Sequence, residues 1–211
     1  NEGKMVESGW RVVEQKNVGK VNETSLEEQA IAEMTADAKK KSDRGYFDNI
    51  KNVDTYDKIK PMLASKHENA KYDFENNKYY TQPKLDGIRC IVKEDGMFTR
   101  NGKAILSAPH IFEGLKPVFK ANPELIFDGE LYCDKLANDF NKIVSLVKKS
   151  KPTADDLKES AEVIEYHIYD LPSHNGKFSH RNNQLAIMEH HDKVFRDTKC
   201  VIVDTRMATD E

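Results

Sequence analysis

Apolar residues recur every fourth position in one early stretch, and cluster in short runs over the rest of the chain. In TSLEEQAIAEMTADAKKK, Leu26, Ala30, Met34 and Ala38 draw one stripe along a helix. Ser25 and Glu28 supply the S-x-x-E pattern, in which the serine caps orphan amides and the glutamate reaches back. Lys39, Lys40 and Lys41 suit the negative end of that helix, and Gly45 lies just beyond it. Before it, WRVVEQ (Trp10 to Gln15) has strand-like composition, and NVGK supplies a turn at Gly19.

From Lys60 onward, short apolar runs alternate with turn signals. YYTQPKLDG and GIRCIVKEDGMFTRNGKAI predict consecutive strands, with hairpin turns at Asp95-Gly96 and Asn101-Gly102. ELIFDGELYCD predicts another strand. FNKIVSLVKK predicts a helix, because Phe140, Ile143, Val144 and Val147 follow the i, i+3, i+4, i+7 spacing. VIEYHIYDLP predicts a strand halted by Pro172. Ser179 to Phe195 predicts a helix with Leu185, Met188 and Phe195 on one side, and CVIVDTRMA a last strand. Strands gathered around tight turns with helices outside predict an α+β fold with largely antiparallel sheets. The pattern divides the chain into a segment over 1–50, a connector over 51–59 and a main domain over 60–211. No repeat or low-complexity tract interrupts it.

Composition narrows the class. Of 211 residues, 33% are charged and 38% hydrophobic, which suits a polar globular chain with one core. No run approaches the roughly 18 apolar residues that cross a bilayer, and no signal peptide is evident. Cys90, Cys133 and Cys200 are widely spaced and form neither a disulfide framework nor a C-x-x-C pattern, so a reducing cytoplasm is expected. The histidines lack zinc spacing. A net charge of -3 does not announce nucleic-acid binding, which would have to come from local basic patches.

Three stretches carry chemistry. In QPKLDGIRC, Lys84 and Asp86 would share a face of an extended strand, and Gly87 permits close backbone approach. Arg89 offers a planar fork for phosphate or ribose oxygens. A lysine attacks only when neutral, and K-x-D-G alone is equally an ordinary surface turn. In FDGELY, Asp128 and Glu130 sit on one face of a strand, where paired carboxylates can hold a divalent cation or grip hydroxyls; a solvated strand edge is the plainer alternative. In YHIYDLP, His167 and Tyr169 share a face. Tyr169 could stack on a base or fill the core.

Taken in order, these stretches resemble one family, the ATP-dependent DNA ligases within the lysine nucleotidyltransferases. Lys84 to Arg89 resembles the K-x-D-G-x-R nucleophile motif. Thr99-Arg100-Asn101-Gly102 resembles S-R-x-G with Thr for Ser. Asp128-Gly129-Glu130 and Tyr169-Asp170 resemble the next two motifs. Four ordered matches are far more specific than any one. KPMLA at Lys60 to Ala64 and DFNKIVSLVKK are similar to phage and bacterial DNA ligases. The N-terminal segment is similar, more weakly, to a WGR-like module, expected to help hold DNA. The lysine run ending its helix is either solvated or a DNA-phosphate contact.

The resemblance implies an ATP-grasp-like adenylation domain that takes ATP and Mg²⁺ and seals nicks in double-stranded DNA as a monomer, through lysyl-AMP. It implies Lys84 as nucleophile, with Asp86 beside it in the catalytic motif. Gln82, where relatives often carry Glu, would face the adenine amine. Arg89 would contact ribose or the nick phosphate, Glu130 the ribose hydroxyls, and Tyr169 the adenine ring. Arg100 would grip a DNA 5′-phosphate, and Lys148 and Lys149 would touch the DNA backbone. Glu130 and Asp128 are the candidate metal ligands. The family's later motifs, E-G-x-x-x-K and K-x-K, have no match beyond Tyr169-Asp170, so the chain is expected to be part of a longer ligase. An RNA ligase, another lysine nucleotidyltransferase and a non-catalytic DNA-binding fragment are the rival readings.

Overall fold

The computed structural model describes residues 7, 9–43, 46–47, 49, 61–63, 65–66, 68 and 70–209. The connector over 51–59, Gly45, and Lys60 and Ala64 of KPMLA lie outside them. The chain divides into two compact units, Asn1–Asp57 and Lys58–Glu211.

In the first unit, α1 spans Leu26–Asp43. Its capping box is formed: Glu28 N donates to Ser25 Oγ at 3.2 Å and Ser25 N to the Glu28 carboxylate at 2.9 Å. Those bonds hold the Glu28 carboxyl below its ordinary range. The turn at Gly19 is present. WRVVEQ forms no strand; after it comes a single bridge, Lys16 to Thr24. The apolar stripe is not what the helix turns inward. Leu26 and Met34 are exposed, while the polar side carrying Gln29, Glu33 and Asp37 faces Arg11 and Lys16.

The second unit is built on a five-stranded sheet in the order β3-β2-β4-β5-β6. Its strands are β2 (Ile88–Lys93), β3 (Gly96–Thr99), β4 (Ile126–Tyr132), β5 (Glu165–Asp170) and β6 (Cys200–Ile202). All neighbours are antiparallel except β5 and β6. A two-stranded sheet pairs β1 (Tyr79–Thr81) with β7 (Arg206–Ala208). The last stretch, expected as one strand, is therefore two, each in a different sheet. The KLDG stretch, expected within a strand, is irregular from Gln82 to Asp86 and carries the chain from the small sheet to the large one.

Helices α2 (Pro109–Ala121), α3 (Phe140–Val147), α4 (Ala154–Val163), α5 (Phe178–His191) and α6 (Val194–Asp197) complete the unit. The pattern places α3 and the α5 region but neither α2 nor α4. Pro117 and Gly114 within α2 argue against a helix by propensity, yet Ile111, Leu115, Val118 and Phe119 bury one stripe and outweigh them. The predicted helix over 179–195 breaks at Asp192, whose side chain accepts from Val194 N.

One sheet face forms the core. Ile88, Cys90, Val92, Phe127, Leu131, Tyr166 and Ile168 pack with apolar residues of α2, α3, α5 and α6. Because side chains alternate along a strand, Arg89, Asp128 and Glu130 are left on the opposite face. That alternation positions the site.

Candidate active site

Register brings the separate stretches together. Across β2 and β4, Arg89 lies opposite Glu130 and Ile91 opposite Asp128. Across β4 and β5, Glu130 lies opposite His167, and the register then shifts between Gly129 and Asp128. The shift is a bulge, and it leaves Tyr169 unpaired in the ladder. There the Tyr169 ring stands beside the Arg89 guanidinium, within electrostatic reach of Asp128.

Asp128, 3% exposed, is the hub of this face. Arg89 grips it through two parallel bonds, Nε to Oδ1 at 3.0 Å and Nη2 to Oδ2 at 2.6 Å. The third guanidinium nitrogen, Nη1, donates to the Met62 carbonyl at 2.7 Å. The guanidinium carbon lies 5.7 Å from the centre of the Tyr169 ring. Burial raises the Asp128 carboxyl above its ordinary value and Arg89 pulls it back. Arg89 itself is raised by the same carboxylate. Arg89, expected on ribose or phosphate, here donates to Asp128 and Met62 with three of its five N–H groups, and Asp128, expected as a metal ligand, accepts from Arg89 with both oxygens.

Glu130 stands differently. Burial pushes its carboxyl up to about 7, against the pull of Arg89, the Gly87 amide and Lys84. Gly87 sits directly over it. A Cβ at Gly87 would lie 2.4 Å from the Leu131 carbonyl oxygen and 2.8 Å from Glu130 Cγ, so a side chain there has no room. The irregular segment crosses β4 at this point, which brings Lys84 within electrostatic reach of Glu130. Lys84 and Asp86 are both exposed. The two do not share a strand face, because the segment is not a strand.

Gln82 is half-buried, and its Nε2 donates to the Tyr169 carbonyl at 3.0 Å and to Thr205 Oγ1 at 2.9 Å. Gly129, in the middle of the DGE stretch, is required for a separate reason. A Cβ there would meet the His167 carbonyl oxygen at 2.5 Å and the Tyr166 ring at 2.7 Å. His167 is buried beside Tyr132, with Nε2 3.2 Å from Glu165. Asp170 has its own partner: Arg181 of α5 binds it through Nε at 2.7 Å and Nη2 at 3.0 Å.

Three basic residues lie apart from this cluster. Arg100 is exposed on the turn after β3. The Thr99 hydroxyl accepts from Lys103 N at 3.1 Å and Gly102, at φ +73°, closes the turn, so Thr serves where Ser was expected. Lys148 caps the end of α3 and is exposed. Lys149 is paired with Asp156. Met62 and Thr205 were not singled out by sequence. KPMLA contains Met62, but its contribution is a backbone carbonyl, which no side-chain pattern reveals.

No helix among the described residues is long and apolar enough to cross a membrane. Among them, no group of three or more His, Cys, Asp or Glu could hold a metal ion.

No curated protein matches the chain. Solved structures do. A structure of Lig E DNA ligases, described as DNA binding with a minimal scaffold, is 23% identical at a TM-score of 0.45, covering 63% of this chain and 46% of that one. The Chlorella virus DNA ligase-adenylate is 17% identical at 0.46, covering 70% and 48%. The ATP-dependent DNA ligase from bacteriophage T7 in complex with ATP is 14% identical at 0.43, covering 64% and 51%. The chain thus spans about half the length of these structures. The family described as ATP dependent DNA ligase domain matches residues 61–205, and the chain belongs to it.

Proposed function

We propose that this chain carries the adenylation chemistry of an ATP-dependent DNA ligase, with Lys84 as the residue that takes AMP. One observation carries the reading. Gln82, Lys84, Glu130 and Tyr169 come from three distant stretches, and Gln82 holds the Tyr169 backbone while the Lys84 segment crosses over Glu130. An ordinary surface lysine near an Asp-Gly turn would have no such company.

In this reading, Lys84 Nζ attacks the α-phosphorus of ATP. A nitrogen–phosphorus bond forms, the bond to pyrophosphate breaks, and the lysine gives up a proton. AMP then passes to a 5′-phosphate at a nick in duplex DNA, and a 3′-hydroxyl displaces it. Tyr169 lies beneath the base, Gln82 faces the adenine amine and Glu130 faces the ribose. Arg89 acts through Asp128 and Tyr169, holding the face on which the nucleotide rests. Asp86 remains beside the nucleophile. Arg100, exposed at its turn, and Lys148 are the residues open to DNA phosphates, while Lys149 must first leave Asp156.

Mg²⁺ fits this site through a single protein carboxylate. Asp128 is occupied by Arg89, which leaves Glu130, and Mg²⁺ commonly takes one or two carboxylates beside substrate phosphates. When bound, the ion offsets phosphate charge. The N-terminal unit, with exposed Lys39, Lys40 and Lys41 at the end of α1, is read as a WGR-like aid to DNA holding. The three cysteines are free and buried, which suits a cytoplasmic monomer.

The test is covalent labelling. The chain is incubated with ATP and Mg²⁺ and weighed intact. One AMP should be added, and the Lys84→Ala and Lys84→Arg variants should gain none. An unlabelled wild type, or a label that survives in Lys84→Ala, overturns the reading. Nicked DNA and nicked RNA substrates then separate a DNA ligase from an RNA ligase.

A further inference from the structure

A glutamine that reads a base has a problem a glutamate lacks. Its two ends are opposite in kind, and only one orientation presents the acceptor. Here both bonds of the Gln82 amide are made by Nε2. The Tyr169 carbonyl can only accept. The Thr205 hydroxyl donates to the Val203 carbonyl at 3.1 Å, which makes it an acceptor toward Gln82. Two acceptors therefore settle the amide, and its carbonyl oxygen takes no hydrogen bond among the described residues. Register explains why Thr205 is there. β1 and β7 pair Thr81 with Arg206, and Gln82 and Thr205 are the next residues beyond that pair.

We infer that Thr205 is a positioning residue that fixes the Gln82 amide, and through it the preference for adenine over guanine. Adenine offers its N6 amino group as a donor, which matches the Gln82 carbonyl oxygen. Guanine offers O6, an acceptor, in the same place and is refused. The inference rests on the reading of the site given under the proposed function. Val203, Thr205 and the β1–β7 pair thus act on the base without touching it.

The experiment is equilibrium binding of ATP and of GTP to the chain, with covalent labelling at Lys84 run alongside. Thr205→Val keeps shape and removes the hydroxyl. It should lower the ATP-over-GTP preference about fivefold, what one ordinary hydrogen bond is worth. Thr205→Ser should restore it. In a Gln82→Ala background, Thr205→Val should change the preference no further, since Thr205 acts only through Gln82. A Thr205→Val chain that weakens both nucleotides equally shows a merely structural role and overturns the inference. So does an equal effect with and without Gln82. If the wild type binds both nucleotides and labels at Lys84 while the preference ignores Thr205, the inference alone falls. If the wild type binds neither, it falls together with the reading of the site.

Discussion

The two faces of the central sheet are made by alternate residues of the same strands and obey different rules. On one face Phe127, Leu131 and Tyr166 are fully buried among helices. On the other, Asp128 is buried and Glu130 half-buried, and burial favours the proton on both carboxyls. The apolar face gains by burial alone. The polar face is tolerable only where each buried group has a partner, and its two carboxylates differ in just this. Asp128 has Arg89 on both of its oxygens. Glu130 has one backbone amide and more distant cations. The strand that stabilises the domain on one side thus holds, on the other, a carboxyl whose proton is favoured by burial.

Four substitutions probe that comparison. Gly129→Ala should do most damage, because its Cβ would strike a strand carbonyl and the Tyr166 ring, and neither can move freely. A loss of about 4 kcal/mol is expected in urea unfolding, near the upper end for a single change. Unchanged stability would show that the two strands can part without cost. Leu131→Ala, on the apolar face, should lose about 3 kcal/mol by leaving a cavity.

Asp128→Ala should lose about 2 kcal/mol by the same measurement. It strands the partly exposed Arg89 guanidinium, whose access to water softens the penalty of a broken buried pair. If the loss matched a plain surface change, the Arg89 grip would not be holding this face.

Glu130→Gln should move the other way. A folded-state value near 7, above the ordinary 4.5, means the native protein holds the proton more tightly than the unfolded chain. Stability linked to Glu130 is full below about 4.5 and is lost as pH rises through 7. The amide escapes that loss. It should therefore unfold about 1–2 kcal/mol later than wild type at pH 8, a figure reduced for the water that reaches this half-buried group, and the gain should vanish by pH 4.5. A gain equal at both pH values would assign the effect to packing.

Much of this was legible in sequence for local reasons. The Ser25–Glu28 capping box forms because its partners are three residues apart. The Asp95-Gly96 hairpin forms because Gly96 takes φ +140°, which suits glycine. The α1 stripe misled, because periodicity marks an apolar face without saying what faces it. In this unit Arg11 and Lys16 draw the acidic side inward instead. α2 was hidden by Pro117, whose propensity penalty is overcome only by burial against distant strands.

The sequence by itself determined the order of the chemical groups: a lysine ahead of an Asp-Gly pair, two carboxylates two positions apart, and an aromatic before an aspartate. Strand alternation followed from it, and so did the side of β4 on which the carboxylates lie. Only the tertiary structure decided how those groups are used. The bulge at Tyr169 accompanies the placing of its ring beside Arg89, the β2–β4 register gives Asp128 to Arg89, and the β1–β7 pairing delivers Thr205 to Gln82. Each is a contact between residues far apart in the chain. Its existence depends on register, which is set by the fold as a whole and written in no single stretch.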